Sequence, residues 1–223
     1  MELEFSAIEI RVLACLVEKE STTPESYPLT LNSLTRAANQ LSNREPVMKL
    51  SEMEVQESLD SLSRNMLVST RSSSEGRVIK YSHRLRDRRT PEFDFEQPEL
   101  AVIAILLLRG PQTLGEIRTR TARIHQFNDM QELSASINKL SEGSDGPYVK
   151  QLSRHPGQKE ARYTHLFAGD VEENLPPDYS SQSAESVKAG FEQSEVLEQR
   201  VKQLEEELSS LQDEFQTFVK QFE

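Results

Sequence analysis

The spacing of apolar residues along the chain predicts two helix-rich segments with the same order of elements. An apolar helix over 8–17 is matched by another over 100–108, and a short amphipathic helix follows each. The third helix of each segment repeats its apolar positions at steps of four and three, which place one stripe toward a core. We therefore predict an internal repeat with an offset of about 80 residues. The repeated positions are Val55, Leu59 and Leu62 in the first copy and Leu133, Ile137 and Leu140 in the second.

A β-hairpin is predicted after each third helix. Two segments rich in strand-forming residues flank a polar loop that contains glycine, at 66–85 in the first copy and 148–167 in the second. Three helices followed by a hairpin form the winged-helix plan, a variant of the helix-turn-helix. The predicted fold class is therefore α+β and mainly helical, with two tandem winged-helix domains over 1–88 and 92–169. We expect each domain to have its own core, packed in the same way as the other.

The connector and the C-terminal quarter follow different patterns. Prolines and charges disfavour a continued strand over 86–97, and the polar, acidic stretch 170–190 predicts a flexible linker. Over 191–223 a strict alternation of four and three predicts a coiled-coil helix. We favour self-association as a dimer over docking on the repeats or on another protein, because the period is heptad rather than 3.6. The apolar positions are Leu197, Val201, Leu204, Leu208, Leu211, Phe215, Phe218 and Phe222.

Net charge has to be divided by segment before it is used. The chain has 223 residues and a formal charge of -11, but residues 170–223 alone hold 4 Lys or Arg against 14 Asp or Glu. The first 169 residues are close to neutral. The overall acidity therefore does not exclude a nucleic-acid partner for the repeats.

Residue patterns that catalysis or cofactor binding needs are missing from the sequence. The histidines are scattered, a single cysteine gives no zinc spacing, and neither glycine-rich phosphate motif is present. We expect no enzyme, no cofactor, no metal and no small-molecule substrate. Cys15 falls on the apolar face of the first helix and is predicted to be a core residue. His83 and His165 occupy equivalent repeat positions, which predicts a shared role in packing or strand hydrogen bonding.

Basic residues cluster on the predicted hairpins and on the second helix of the second copy. Such clusters suit phosphate contacts. The third helix of the first copy opposes them, since its carboxylates would be repelled by phosphates beside a DNA groove. We weigh nucleic-acid binding and a solvated basic surface evenly. The candidate nucleic-acid contacts are Arg71, Arg77, Lys80, Arg84, Arg118, Arg120, Lys159 and Arg162.

The first copy has an extra polar loop over 41–50, between its second and third helices. A polar loop of this length is retained where it packs or binds something. We therefore assign a protein-interaction role to Asn43, Arg44 and Glu45 in this loop. Glu54 and Glu57 of the acidic third helix are candidates for the same surface.

Two strings in the chain are distinctive. They are N-Q-x-S-N-R-E-P-V at 39–47 and L-R-G-P-Q-T-x-G-E at 108–116. With them, the chain over roughly 5–169 resembles the bacterial YceH-like family. The resemblance implies a tandem winged-helix fold and a cytosolic protein, and it supplies no catalytic residue.

Location and function follow as expectations. The N-terminal residues do not resemble a secretory signal, and the longest apolar run, 100–108, is about half of a bilayer span. We expect a cytoplasmic protein without a membrane partner. The favoured function is a protein-interaction adaptor or scaffold that self-associates through its C-terminal helix. The alternative is a DNA-binding transcriptional or chromosome-associated regulator that uses basic wings.

Overall fold

Two sets of three helices and three short strands make up the described part of the chain. The computed structural model describes residues 4–72, 78–86, 93–142, 146–154 and 160–169. Its helices are α1 (Ala7–Thr22), α2 (Leu31–Ala38), α3 (Glu52–Arg64), α4 (Gln97–Arg109), α5 (Leu114–Thr121) and α6 (Met130–Glu142). Its strands are β1 (Leu29–Thr30), β2 (Val68–Ser72), β3 (Ile79–His83), β4 (Gln112–Thr113), β5 (Val149–Gln151) and β6 (Arg162–His165).

The internal repeat is present in both the order of the elements and the register of the strands. The two antiparallel sheets have the orders β1-β3-β2 and β4-β6-β5. Tyr81 pairs with Leu29 of the first strand of its sheet, and Tyr163 pairs with Gln112 of the first strand of the other. The two tyrosines therefore occupy equivalent places. The chain is of mixed α+β class, as the sequence predicts.

Short sequence motifs at the first residues of α3 and α5 determine where these helices begin. The hydroxyl of Ser51 accepts a hydrogen bond from the N–H of Glu54 at 3.3 Å, and the Glu54 carboxylate accepts one from the N–H of Ser51 at 2.8 Å. This reciprocal pair satisfies two backbone donors that a helix start leaves without partners. Thr113 and Glu116 form the same arrangement at the start of α5.

Each sheet has a third strand that the sequence analysis missed. β1 and β4 contain two residues each and stand directly before α2 and α5. Thr30 ends β1 and also caps α2 with its hydroxyl, so one residue serves both elements. Two residues are too few to produce an alternating pattern. The predicted two-stranded hairpins are therefore three-stranded sheets.

The expectation of two separate cores is wrong. One hydrophobic cluster contains residues of both repeats, and α1 packs directly against α4. Every residue of α4 from Glu99 to Leu108 is buried. A helix that is apolar around its whole circumference is buried on all sides. Each of these two helices therefore contacts its own repeat on one side and the other repeat on the opposite side.

Aromatic side chains pack the segment before α4 against the rest of the second repeat. Phe93 and Phe95, at the end of the predicted connector, are buried against Tyr148 and Phe167, with ring centroids 4.8–6.1 Å apart. Phe5 contacts the same cluster, and its N–H donates to the carbonyl of Phe167 at 2.8 Å. The segments that precede α1 and α4 are thus held by packing as well as by hydrogen bonds.

Candidate functional surfaces

Two buried arginines hold the 41–50 loop in place. Arg11 of α1 donates to the carbonyl oxygens of Ala38 and Pro46, at 3.3 and 2.7 Å. The sequence analysis missed this residue because it lies within an apolar helix. The clue in the sequence is a charged residue between the apolar residues Ile10 and Val12. A buried cation needs polar partners, so this side chain has to form hydrogen bonds inside the protein. The side chain thus connects α1 to the loop at Pro46 and to the last residue of α2.

Arg44 anchors the middle of the loop. Its completely buried guanidinium donates to both carboxylate oxygens of Glu18, at 2.6 and 3.2 Å. It also donates to the carbonyl of Ala37 at 3.0 Å and to Gln40 Oε1 at 2.9 Å. Arg44 was assigned a partner-contact role from the sequence. That assignment is corrected here, because all of these contacts lie inside the protein and leave no donor at the surface.

The same loop joins the first repeat to the second. The N–H of Glu45 donates to the carbonyl of Leu108 at 2.8 Å, and Arg109 donates to Asn43 Oδ1. Asn43 has a φ of 61°, in the left-handed region that asparagine tolerates better than most residues. The side chain of Asn43 and the backbone of Glu45 therefore position the C-terminal end of α4.

Some loop residues do face solvent. Leu41 is 81% exposed and Val47 is 47% exposed, and Met53 in the first turn of α3 is 72% exposed. The amide of Asn39 exchanges two hydrogen bonds with the backbone of Leu50, at 2.8 and 2.7 Å. Large apolar side chains thus project from a backbone that is fixed on both sides.

The acidic residues of α3 differ in how they are used. Glu52 accepts a hydrogen bond from Asn32 at 2.9 Å. Glu54 caps its own helix, and hydrogen bonds from the backbone N–H and hydroxyl of Ser51 lower the pKa of its carboxyl group. Glu57 is exposed and has no partner within the described ranges. Of the two candidates, Glu57 is therefore the freer surface carboxylate.

The first sheet places two cations side by side. Arg71 of β2 lies directly opposite Lys80 of β3, and both are exposed. Like charges directly opposite one another destabilise a sheet, so this pair favours a nearby anion. Arg84 is half-buried and already interacts within the chain. Arg77 lies outside the described residues.

In the second repeat two of the four predicted basic contacts are already paired with a carboxylate. Arg120 and Arg162 lie 3.5 and 3.2 Å from the two carboxylate oxygens of Glu116. Arg162 also donates to the carbonyl of Pro111 at 2.9 Å. Arg118 is exposed on α5, and Lys159 lies outside the described residues. The structure does not gather these cations with the pair on the first sheet into one described cluster.

A polar cavity of about 180 Å³ lies where the loop meets the second repeat. Gln40, Ser42 and Asn43 line it on the loop side. The sequence analysis did not predict this cavity, because its wall combines residues of α1, α4 and the end of α5 that are far apart in the chain. Its cationic lining residues are Lys19, Arg109, Arg120 and Arg123, and its carboxylate is Glu18.

The two equivalent histidines have unlike surroundings. His83 Nε2 lies 3.0 Å from Glu20 Oε2, and its Nδ1 accepts from the N–H of Leu85, so we place the proton on Nε2. This hydrogen bond lowers the pKa of Glu20. His165 packs edge-on against Phe167, its Nδ1 has no hydrogen-bond partner among the described residues, and burial lowers its pKa to about 4. Both histidines pack against an aromatic ring, and His83 in addition forms side-chain hydrogen bonds.

Cys15 is a core residue, as predicted. It is completely buried, and burial raises the pKa of its thiol to about 11. Within the described ranges no group of three His, Cys, Asp or Glu side chains is arranged to hold a metal ion. Among the same residues no helix has the length and apolar character that a membrane span requires. The apolar positions of the predicted coiled coil, 197–222, all lie outside the described residues.

Comparison with known proteins identifies the class of protein. The family model described as "Protein of unknown function, DUF480" matches residues 5–158, and the chain belongs to this family. Curated relatives carry the name UPF0502 protein. One from Shewanella sp. (strain MR-7) is 44% identical over 219 residues, which are 97% of this chain and 98% of that protein.

Two further relatives extend the comparison. A UPF0502 protein of Serratia proteamaculans (strain 568) is 43% identical over 219 residues, covering 98% of this chain and 97% of that protein. The UPF0502 protein YceH of Salmonella newport (strain SL254) is 45% identical over 213 residues, covering 95% and 97%. The resemblance to the YceH-like family is thereby confirmed over nearly the whole chain.

Proposed function

We propose that this chain is a non-enzymatic cytoplasmic adaptor built from two winged-helix units. It would bind another protein through the 41–50 loop together with α3, and self-associate through its C-terminal helix. The observation that supports this best is the clamped loop, which holds Leu41 and Val47 in solvent and is followed in the chain by the exposed Met53. The order of three helices and a three-stranded sheet in each repeat supports the winged-helix assignment.

A rigid apolar surface favours association. Exposed apolar residues scattered singly are ordinary, but here three of them fall within 41–53, on one segment. Arg11 and Arg44 already fix the backbone of that segment through the carbonyls of Pro46 and Asn43. They also hold the end of α2, just before it, through two further carbonyls. A partner would therefore bury apolar area without having to order the loop, which reduces the entropic cost of binding.

Charge indicates the chemistry of the partner. Glu57 and Asp60 are exposed on α3, one and two turns after the exposed Met53. A basic protein surface that also has apolar side chains would complement this face. DNA would not, because in a helix-turn-helix the equivalent helix enters a groove between two rows of phosphates.

The test is affinity capture from cell lysate with full-length tagged protein. The variant Met53→Ser/Glu57→Lys alters the surface and leaves the helix cap intact, whereas substituting Glu54 would also disturb folding. Glu142→Lys is the matched control, since it reverses an exposed charge at the end of α6. We expect one protein to be captured by the wild type and the control and lost with the variant.

The captured protein is then purified and titrated calorimetrically. We expect the double variant to weaken binding at least tenfold, because it removes an apolar contact and reverses a complementary charge. Equal affinity for wild type and double variant would disprove the adaptor surface. A wild-type capture that matches an untagged lysate would disprove it as well.

One observation favours the second candidate function, nucleic-acid binding. Arg71 and Lys80 are exposed and directly opposite one another, which an anionic partner would stabilise. Duplex binding measured against salt tests this function. We expect Arg71→Ser/Lys80→Ser to weaken binding and to reduce the salt slope by about two, whereas Lys49→Ser in the loop leaves both unchanged. Absence of duplex binding at low salt removes this candidate.

A further inference from the structure

We propose that the cavity between the 41–50 loop and α4 and α5 binds the phosphate group of a small anionic molecule. This inference does not depend on the adaptor function. The cavity faces the ends of α1 and α4 and has a volume of about 180 Å³. That is about six times the ~30 Å³ that one water molecule occupies in the liquid. The space suits a phosphate group with a small attached organic part.

Positive charge dominates the wall of the cavity. The side chains of Lys19 and Arg120 are 17% and 22% exposed, so both are largely removed from water. Glu18 is the carboxylate in the wall; Arg44 holds both of its oxygens, and Lys19 Nζ lies 3.7 Å from one of them. One carboxylate thus serves two cations already, while Arg109, Arg120 and Arg123 add three more positive charges to the wall.

Glu116, another carboxylate near the cavity, is also shared. Glu116 lies 3.5 Å from Arg120, and its other oxygen lies 3.2 Å from Arg162. One negative charge thus serves two guanidinium groups. Positive charges that are confined in a partly buried site repel one another and raise the free energy of the folded protein. A bound anion would lower that free energy.

Two guanidinium groups in the wall have unused donors. Arg109 donates to the neutral oxygen of Asn43, and this is its hydrogen bond within the described ranges. Arg123 has no partner among the same residues. Burial and the nearby charge of Arg120 lower the pKa of Arg109, although the carboxylates of Glu45 and Glu18 act in the opposite direction.

The shape of these donors selects phosphate. A guanidinium presents a planar pair of N–H donors that matches two phosphate oxygens, and a tetrahedral anion can accept from several such pairs at once. Ile105, Leu108 and Ile124 line the same cavity, so an anion there would be partly shielded from water. Shielding strengthens each charged hydrogen bond. Gln40 and Ser42 add neutral polar groups on the loop side.

Calorimetric titration of the full chain tests the proposal. The probes are inorganic phosphate, pyrophosphate and a nucleoside monophosphate, in a buffer free of phosphate and at constant ionic strength. Citrate serves as a carboxylate comparison. We expect saturable binding of at least one phosphate probe at one site per chain, tighter than citrate. The three probes separate a free phosphate ion from a phosphate attached to an organic group.

Substitutions locate the site. Arg123→Gln removes an exposed cation that has no partner in the part of the chain that the structure describes, so the fold is retained, and we expect binding to weaken about tenfold. Arg109→Gln should have at least the same effect, with urea unfolding as a check on its stability. Arg118→Gln is the control, because it removes the same charge from an exposed position of α5 that does not line the cavity. We expect its affinity to equal that of the wild type.

Three outcomes would overturn the proposal. The first is no saturable binding of any phosphate probe at millimolar concentrations. The second is equal weakening by Arg118→Gln and Arg123→Gln, which would indicate a diffuse surface field. The third is tighter binding of citrate than of every phosphate probe. Should Arg109→Gln fail to fold, the comparison of Arg123→Gln with Arg118→Gln still decides.

Discussion

Arg44 and Glu18 form a two-pronged ion pair, with N–O distances of 2.6 and 3.2 Å, and the guanidinium is completely buried. The pair connects the 41–50 loop to α1 across 26 positions of the chain. Removing one partner of such a pair leaves a charge in a poorly solvated site, which is more costly than never having formed the pair. The stability of the loop therefore depends on this contact.

We expect Arg44→Ala to lower the free energy of unfolding by about 3 kcal/mol. The reason is the loss of both hydrogen bonds to the Glu18 carboxylate, which Lys19 at 3.7 Å compensates only in part, together with the loss of the hydrogen bond to Ala37. Urea unfolding followed by circular dichroism measures the change. Lys49→Ala, an exposed substitution in the same loop, should leave the urea midpoint unchanged. Equal midpoints for the two variants would contradict this prediction.

His165 should make stability depend on pH. Its pKa falls from 6.5 to about 4 on folding because of burial, so the unfolded chain binds the proton more tightly. Its contribution is fully present above pH 6.5 and is lost as the pH falls toward 4. Between these values we expect the wild type to lose about 2 kcal/mol more than His165→Gln. Urea unfolding at several pH values measures this difference.

The control for His165 is His125→Gln, which alters a half-buried histidine beside Glu132. This control should keep the steeper pH dependence of the wild type. The prediction for His165 fails if the His165→Gln variant and the wild type lose stability in parallel between pH 6.5 and 4.

Cys15 should be unreactive in the folded protein. The thiol is completely buried, and burial raises its pKa to about 11, so the reactive thiolate is rare at neutral pH. We expect a thiol reagent to label it only after denaturation, with the rate of labelling rising through the urea transition. Cys15→Ala provides the blank. Rapid labelling of native protein would show that the interior around α1 opens readily.

The predicted C-terminal coiled coil should determine whether the protein is a dimer or a monomer in solution. Leu204→Asp/Leu208→Asp places two charges in the apolar heptad positions, so we expect it to convert a dimer into a monomer. Sedimentation equilibrium of full-length protein measures the change. Gln203→Asp adds a charge outside those positions and should stay dimeric. A monomeric wild type at micromolar concentration would rule out self-association through this segment.

The helices and the repeat could be predicted from sequence because their information is local. Val55, Leu59 and Leu62 mark the buried stripe of α3, and Ser51 with Glu54 marks its start. Periodicity states which residues are buried, but it does not state what they are buried against. The packing of α1 on α4 was therefore missed, and two separate cores were expected in its place.

The sites were harder to predict than the fold because their contacts are distant in sequence. Arg44 is polar and lies in a loop, which suggests exposure, and only its pairing with Glu18 explains its burial. The cavity brings Lys19 together with Arg109 and Arg123, positions that no linear motif connects. Single residues were thus assigned by chemical type, whereas their roles follow from the fold around them.

The packing of α1 against α4 fixes the geometry between the two copies. Separating them would expose the apolar surfaces of both helices, so neither copy alone is expected to remain monodisperse in water. The two repeats are therefore expected to keep a fixed position relative to each other. A molecule that touched both α3 and α6 would meet them at a single spacing and angle, and its own shape would have to match that spacing.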